Sequence, residues 1–381
     1  MKNHSLQQES IEKPEKRHLR ILIVTHAPLS PKFGAGQMAI NLAEAFRDQG
    51  HAVTCWSPHP MQACTRWWAE LRNWQFMRSK LDEFLKTQKS FDVIDCYPLL
   101  LTERVAESGC SIARSVQPDI LYRLSEIQNS QNNGFKAIAF KAFNLFLILP
   151  YLSLLLLQSW RRANYILCLG SIELEWMKKW FPWWKGKLVS YNNALSHREQ
   201  IQVAKIRSCR QRREGEGCRF LWIGRWTHHK GITELTEFIQ KRIPLNPKDT
   251  FTIAGCGTYA EKQFSSRLLQ SGNVKIISSF ERNQIYSLLL NHDIGLFTSR
   301  VEGWGLVLNE MLESGMPVFA TRAGGVTDLS TFCPDMIKLF PPKLEGVIDM
   351  LSCSTKTDMK DYYQTFSWLK IAEDYIKLVA S

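Results

Sequence analysis

The sequence predicts an α/β protein made of two similar halves, each built on a parallel β-sheet. Short runs rich in β-branched and aromatic residues alternate with helical patterns along most of the chain, which is typical of βαβ units. The length of 381 residues corresponds to two or three domains of ordinary size. A hydrophobic fraction of 45% with 22% charged residues allows large buried cores and excludes a mainly disordered chain.

The elements follow in order along the chain. In the first half the patterns predict strands over 20–25, 52–56, 93–96, 111–115, 165–169 and 188–190, with a helix over 37–49 that ends at Gly50. In the second half they predict strands over 220–224, 251–254, 274–278, 293–297 and 317–321, each followed by a helix. Apolar residues at helical spacing predict a closing amphipathic helix over 360–379.

The domain boundaries follow from this rhythm. We expect a flexible polar leader over 1–19, a first domain over 20–200 that also receives the last helix over 360–381, and a second domain over 219–359. Residues 201–218 are charged and have no clear period, so we predict a basic linker that contains the hinge. The alternative is that this segment forms a surface helix at the end of the first domain.

Cysteine usage and charge restrict the class further. The ten cysteines form no C-x-x-C pair, so we expect reduced thiols in a cytoplasmic protein without a structural zinc site. The formal charge is +12, and the segment from Lys136 to Arg219 holds fifteen Lys or Arg against five Glu. Such a basic excess attracts anionic surfaces, either nucleic acid or acidic lipid.

The run from Glu302 to Glu310 is the most informative motif. It follows a strand that ends at Phe297, and the Gly303-Trp304-Gly305 turn should open a helix whose free amides attract a diphosphate. In an all-helical interval the two glutamates would be on the order of 12 Å apart, so one carboxylate can bind a sugar and the other a ribose. The alternative is two ordinary solvated charges.

Cations for the same phosphates follow the strand over 220–224. Arg225 lies at the carboxyl end of this strand, where ligands of open parallel sheets bind, and Lys230 starts the next helix. Together they would stabilise the charge of a departing nucleoside diphosphate, although both also fit exposed loop cations. His228 and His229 have no ligand partner at metal spacing, so we interpret them as exposed loop residues.

These motifs resemble glycosyltransferase family 4, whose members are retaining nucleotide-sugar transferases. The resemblance spans most of the chain and rests on Gly34 and Gly36, the run Gly50 to Val53, Gly224-Arg225, Lys230-Gly231, Gly255 and Gly257, the run Glu302 to Glu310, Gly315 to Thr321, Gly324-Gly325, and Phe366 to Trp368. It implies the GT-B fold, in which two Rossmann-like domains face each other and the last helix crosses back to the first domain.

The resemblance also implies roles for individual residues. Arg225 and Lys230 would contact the diphosphate of a UDP- or GDP-sugar, and Glu302 would contact the transferred sugar. The remaining donor-binding residues would be Gly34, Gly303, Gly305, Leu306, Val307 and, on the ribose, Glu310. In such enzymes the acceptor hydroxyl attacks from the face that the leaving phosphate departs, so neither a protein nucleophile, nor a metal, nor a further cofactor is needed.

Two positions depart from the family pattern. Many relatives carry a histidine in a run like Arg-Ser-His-Gly, whereas the similar run here places Val116 at that position. Either another residue, for example Gln117, replaces the histidine, or activity is weak or absent. A Pro-Glu pair common in relatives is replaced by Thr327 and Asp328. A non-catalytic relative that only binds sugar nucleotides therefore stays an alternative.

The apolar run over 142–157 bears on the acceptor. Its sixteen residues are fewer than the ~20 that cross a bilayer, and Lys, Arg and Trp residues flank it. We predict peripheral docking on the anionic inner face of a membrane, no binding of nucleic acid, and a saccharide or lipid-linked acceptor. A buried helix of the first domain fits the run nearly as well.

A dinucleotide-dependent oxidoreductase is the competing enzyme class. Gly255, Gly257 and Ala260 formally satisfy the G-x-G-x-x-A fingerprint after the strand over 251–254. No acidic residue ends the next strand, and this reading leaves Arg225 and Glu302 without a role. We therefore favour sugar transfer.

Overall fold

The computed structural model describes residues 18–380 except 32, 60–68, 129–134, 211–216, 343–346, 348–349 and 351–358. Nearly all of the predicted leader therefore lies outside the described residues. The described part of the chain forms two six-stranded sheets flanked by helices, one sheet for each half of the sequence. We call them the first and second domain.

All strands of the first sheet are parallel and run in the order β2-β1-β3-β4-β5-β6. Its strands are β1 (Arg20–Val24), β2 (Ala52–Trp56), β3 (Val93–Cys96), β4 (Cys110–Arg114), β5 (Tyr165–Leu169) and β6 (Leu188–Tyr191). The order of the strands reverses between β1 and β3, so the loops after these two strands diverge and leave a crevice.

The second sheet is also parallel, in the order β12-β11-β10-β7-β8-β9. Its strands are β7 (Arg219–Ile223), β8 (Thr250–Ala254), β9 (Val274–Ile277), β10 (Ile294–Phe297), β11 (Val318–Ala320) and β12 (Ile337–Leu339). The predicted strands are present, and the three-residue edge strand β12 is an addition that its short pattern did not indicate. Here the order reverses between β7 and β10.

Helices cover both faces of each sheet. In the first half they are α1 (Gly34–Asp48), α2 (Glu70–Lys86), α3 (Glu103–Glu107), α4 (Asp119–Gln128), α5 (Phe135–Phe143), α6 (Leu149–Arg162), α7 (Gly170–Trp180) and α8 (His197–Cys209). In the second half they are α9 (Ile232–Leu245), α10 (Ser266–Gln270), α11 (Ile285–Asn291), α12 (Leu306–Glu313), α13 (Val326–Phe332), α14 (Lys360–Thr365) and α15 (Trp368–Ala380).

Half of the predicted linker is helical. Helix α8 starts at a capping box, in which the Ser196 side chain accepts from the Glu199 amide and the Glu199 carboxylate accepts from the Ser196 amide. Val203 and Ile206 of this helix are buried. The weak apolar period of the segment concealed a helix that its cap and these two contacts stabilise, so the alternative interpretation is correct for residues 201–209.

The end of the chain returns to the first domain. The predicted closing helix is divided at Phe366 and Ser367 into α14 and α15. The indole nitrogen of Trp368 donates to the carbonyl of Ala194 at 3.0 Å, and Tyr375 packs edge-on against Phe46 of α1 with ring centroids 5.7 Å apart. The expected crossing of the last helix is therefore confirmed.

The apolar run of the first domain belongs to a longer helix than expected. Helix α5, a π segment (Asn144–Ile148) and α6 are continuous, and the stretch Ile138–Arg162 has 25 residues with a mean hydropathy of 1.9 over its most apolar window. By length and composition it is able to cross a membrane, so the expectation that it is too short is wrong. Only 28% of that window is buried in the protein.

The two faces of this helix have different surroundings. One face packs into the core of the first domain through Ile148, Leu152, Leu155, Leu156 and Trp160. The other face exposes Ile138, Phe140, Leu145, Phe146, Leu147 and Leu154. Trp180 and Trp183 nearby in sequence are also exposed, while Trp176 and Trp184 are partly buried against the core. The core interpretation is therefore correct for one face, and the other face is exposed.

Candidate functional site

A cleft of about 290 Å³ lies between the two domains and gathers most of the predicted residues. From the first domain it is lined by His26, Gly34, Ala35, Met38, Val116, Gln117, Tyr122, Leu169 and Asn193. From the second it is lined mainly by Arg225, His229, Lys230 and the segment from Glu302 to Val307. Both sets follow carboxyl ends of strands, and β7 and β10 are the pair at which the strand order reverses, where open α/β sheets bind ligands.

Arg225 stands at the mouth of the cleft, directly after β7 and Gly224. Its side chain is exposed, and its guanidinium donates to the hydroxyl of Tyr122 at 3.4 Å. Because Tyr122 belongs to α4 of the first domain, this contact crosses the cleft. The planar guanidinium retains further donors for an anion.

Lys230 and Glu302 form an ion pair inside the cleft. Their side chains are 19% and 17% exposed, and the hydroxyl of Ser299 also donates to Glu302 at 3.1 Å. Burial by itself would raise the pKa of Glu302, but Lys230 and the hydrogen bonds outweigh burial and hold this pKa below its ordinary value. Glu302 is therefore a carboxylate at neutral pH, next to the amine that compensates it.

The turn between Glu302 and α12 has space only for glycine. Gly305 adopts φ +87°, and a Cβ at this residue would lie 2.6 Å from the ring of Phe297. A Cβ at Gly303 would lie 2.4 Å from the carbonyl oxygen of Val116 in the first domain. The backbones of the two domains therefore approach each other directly at this turn, and Leu306 and Val307, the first residues of α12, line the cleft.

Glu310 lies away from the other predicted residues. It is 2% exposed, does not line the cleft and forms an ion pair with Arg282. Burial raises the pKa of Glu310 to about 7 against the opposing charge of Arg282. Leu306 and Val307 line the cleft, and Glu310 lies about one helical turn beyond them. The contact of Glu310 with ribose therefore stays a prediction.

The first domain contributes Gly34, Val116 and Gln117 to the cleft wall. Gly34 is exposed at the start of α1, and no atom lies within 4 Å of the position of an added Cβ. The side-chain amide of Gln117 donates to Asp119 at 3.1 Å. Val116 stands where the family pattern predicts a histidine, so the wall there has an apolar side chain. The neighbouring amide of Gln117 is bound to Asp119.

The sequence analysis did not assign His26, Tyr122 or His229 to the cleft, which all three line. His229 is buried instead of exposed, and its ring lies 4.6 Å from that of Tyr122. His26, which follows β1, packs against Tyr97 with the ring centroids 4.0 Å apart and the rings tilted by 35°. Burial, with nearby cations or a second histidine, lowers the pKa of both histidines to about 4, so each is a neutral ring at neutral pH. Their positions after strands were the available signal, whereas nothing local marks Tyr122.

Two weaker sequence features have structural explanations. After β8, Gly255 and Gly257 adopt positive φ but lead into a single 3₁₀ turn (Ala260–Gln263) instead of the helix that seats a dinucleotide pyrophosphate. The structure thus does not support the oxidoreductase alternative. Asp328 accepts from the amide and hydroxyl of Ser171 at 3.0 and 3.1 Å, so its carboxylate joins the two domains.

The described residues contain no preformed metal-binding cluster. No group of three or more His, Cys, Asp or Glu is positioned there to hold a metal ion. The eight cysteines of the described segments are all free thiols.

The family model for glycosyl transferases group 1 matches residues 210–331, which include Arg225, Lys230, Glu302 and Glu310. This segment, about a third of the chain, is similar to the glycosyl transferases group 1 family. The resemblance predicted from the motifs is confirmed at this level, and the match covers the cation side and the glycine turn of the cleft but not the first-domain wall.

One curated relative of this glycosyltransferase domain is the gpi3 subunit of phosphatidylinositol N-acetylglucosaminyltransferase from Schizosaccharomyces pombe. It is 27% identical over 163 residues, which cover 40% of this chain and 35% of the relative. The matching segment thus spans about a third of the length of the curated relative.

Solved structures match nearly the whole chain at low identity. Sucrose-phosphate synthase from Thermosynechococcus elongatus has a TM-score of 0.70 and 14% identity, covering 95% of this chain and 98% of that one. WaaG, a glycosyltransferase involved in lipopolysaccharide biosynthesis, has a TM-score of 0.64 and 13% identity, covering 95% and 100%. At this identity the likeness concerns the fold, and it confirms the predicted GT-B architecture of two facing domains.

Proposed function

We propose that this protein is a retaining glycosyltransferase that moves a sugar from a UDP- or GDP-sugar to a hydroxyl of a saccharide or lipid-linked acceptor. The observation that carries the proposal is the cleft, in which Arg225, the Lys230–Glu302 ion pair and the first turn of α12 converge at the point where the strand order reverses. A diphosphate fits between two cations and helix amides, and a carboxylate beside it suits sugar hydroxyls.

The proposed reaction uses these groups directly. The bond between the anomeric carbon and the diphosphate oxygen breaks, and the acceptor oxygen forms a new bond to that carbon from the same face. The acceptor proton passes to the leaving phosphate, so the scheme needs neither a protein nucleophile nor a metal. Arg225 and Lys230 stabilise the charge that develops on the diphosphate, and Glu302 orients the sugar.

A lipid-linked acceptor is supported by the surface of the first domain. The helix Ile138–Arg162 keeps one face in the core and exposes Phe146 at 72% and Leu147 at 55%. The exposed Trp183 and basic residues between Lys178 and Lys187 accompany it. We propose that this face docks on the anionic inner face of a membrane in cell-surface glycan or glycolipid synthesis, which would make the protein cytoplasmic and peripheral.

The first experiment measures transfer. Purified protein is incubated with UDP- and GDP-sugars and with detergent-extracted glycolipids, and the released nucleoside diphosphate and the anomeric configuration of the product are recorded. Glu302→Gln and Arg225→Ala should each lower turnover at least about a hundredfold while both variants keep the native circular dichroism spectrum. Glu234→Gln and Arg300→Ala change an exposed ion pair outside the cleft and are the matched controls. Wild-type rates in either cleft variant would refute the site.

The second experiment tests docking. The protein should float with vesicles of phosphatidylcholine and phosphatidylglycerol but not with phosphatidylcholine alone. A Phe146→Ser and Leu147→Ser double variant should lose about tenfold in vesicle affinity, because both apolar side chains are removed. Leu245→Ser is the control, since Leu245 lies on the second domain with an exposure of 60%, between those of Phe146 and Leu147. Equal flotation of the double variant and the control would contradict docking by this face.

A further inference from the structure

Arg282 occupies a central position between the two domains. It lies in the turn Arg282–Gln284 after β9 and forms ion pairs with Glu199 of α8, at 2.6 Å, and with Glu310 of α12. One guanidinium thus joins the helix that leaves the first domain to the helix whose first turn lines the cleft. Arg282 itself is not part of the lining.

The surroundings of Glu310 explain why a cation is needed there. Glu310 is almost completely buried, and Glu199 and Glu313 add negative charge near it. A buried carboxylate without a compensating charge is costly and takes up a proton instead. Arg282 supplies the compensating charge, so its removal would leave Glu310 protonated or displaced.

Arg282 is itself held by contacts that reach the cleft wall. Glu199 accepts hydrogen bonds from the side-chain amide of Gln37 at 3.0 and 3.1 Å as well as from Arg282. Gln37 lies in α1, one turn after Gly34, which lines the cleft. The chain of contacts Gln37–Glu199–Arg282–Glu310 therefore runs from the first-domain wall to the carboxylate behind α12.

We propose that Arg282 is a positioning residue for the donor, which holds the Glu310 carboxylate in place to accept the hydroxyls of the donor's ribose. This inference rests on the proposed function, because it assigns the nucleoside end of the same donor. Glu310 lies one helical turn, a rise of about 6 Å, beyond Leu306 in the cleft, which suits a nucleoside whose diphosphate meets the first turn. Glu199 and Gln37 orient Arg282 and link nucleoside binding to α1.

The test separates the nucleoside from the phosphates. Calorimetric titration of the full chain with UDP, with GDP and with inorganic pyrophosphate gives three affinities for each variant. Arg282→Gln should weaken binding of the preferred nucleoside diphosphate at least about tenfold, as expected for a lost hydrogen bond to a charged group. Its affinity for pyrophosphate should stay within about twofold, because Arg225, Lys230 and the helix amides are unchanged.

Rescue and control variants exclude a general effect on folding. Arg282→Lys keeps a cation beside Glu310 and should recover most of the nucleoside affinity, and Glu199→Gln should give an intermediate loss. Arg300→Gln removes an exposed guanidinium outside the cleft and should change nothing.

The outcomes distinguish this inference from the proposed function. If the wild-type protein binds neither UDP nor GDP, the proposed function fails and the inference fails with it. If the wild-type protein binds one of them and Arg282→Gln binds it equally well, the inference alone is overturned. An equal loss for pyrophosphate and nucleoside diphosphate also overturns it, since Arg282 would then act on the phosphates or on the fold.

Discussion

The ion pair of Lys230 and Glu302 should stabilise the empty cleft as well as serve the donor. We consider Lys230→Met, which removes the amine but keeps an apolar stem, alone and combined with Glu302→Gln. Breaking a fully buried pair costs about 3–5 kcal/mol. The two side chains are 19% and 17% exposed and Ser299 still donates to Glu302, so we expect a loss of about 2 kcal/mol in the free energy of unfolding.

The double variant isolates the pair. With Glu302→Gln present, the uncharged amide no longer needs the amine, so the combined loss should be smaller than the sum of the single losses by about 1–2 kcal/mol. Urea unfolding followed by circular dichroism at pH 7.5 measures this coupling. The exposed pair of Arg300 and Glu234, at 40% and 36% exposure, is the control and should couple by less than about 1 kcal/mol.

The pH dependence gives the sign of the effect. The pKa of Glu302 is lowered in the folded protein, so the ionised carboxylate adds to the free energy of unfolding. This addition is complete above the ordinary pKa of a glutamate and is lost as the pH falls through the lowered pKa. Because pH 6 to 8 lies above the ordinary pKa of a glutamate, the coupling should be constant over this range. Single losses that add to within about 0.5 kcal/mol at pH 7.5 would refute the argument.

Three further outcomes are expected. Gly303→Ala should abolish most turnover, because the new Cβ would meet the carbonyl of Val116 at 2.4 Å, whereas Gly186→Ala, with no atom within 4 Å, should leave turnover unchanged in the same assay. In the wild-type protein the free energy of unfolding should fall as the pH rises from about 5 to 8, and Glu313→Gln should make this fall less steep. Burial raises the pKa of Glu313 to about 8, so the folded protein holds a proton that the unfolded chain has released, and each such group lowers stability by up to about 1.4 kcal/mol per pH unit. Tyr122→Phe should weaken pyrophosphate binding by less than about threefold in calorimetry, because it removes only 3.4 Å contacts to Arg225 and His229, and a larger loss would assign the hydroxyl a direct role.

The fold was largely predictable because its strands are short, buried and apolar, with turns between them. The pattern located β1 and β10 to within a residue or two. Helix α8 escaped because its stability comes from a cap and tertiary contacts instead of a strong apolar stripe. The length of the helix Ile138–Arg162 was underestimated because Pro150, which has no amide hydrogen, usually ends or kinks a helix. Here a π segment precedes Pro150, and the chain continues as a helix past it.

The cleft residues were predictable where a local sequence motif marks them. Arg225 and Glu302 follow strands at adjacent positions in the sheet, so topology alone brings them together. Glu310 was a different case, since its partner Arg282 comes from another strand-to-helix turn and no spacing in the sequence indicates that pairing. His229 is buried and contacts Tyr122, which lies 107 residues earlier in the chain, so its place in the cleft was visible only in three dimensions.

The return of α15 to the first domain affects the order in which the molecule matures. During translation β1 to β6 leave the ribosome early, but Phe46 and Ala194 acquire Tyr375 and Trp368 as neighbours only after the whole second domain has been made. Until then an apolar surface of the nascent first domain stays uncovered and open to chaperones or to misassembly. The first half of the protein is thus completed only after the second half has been synthesised.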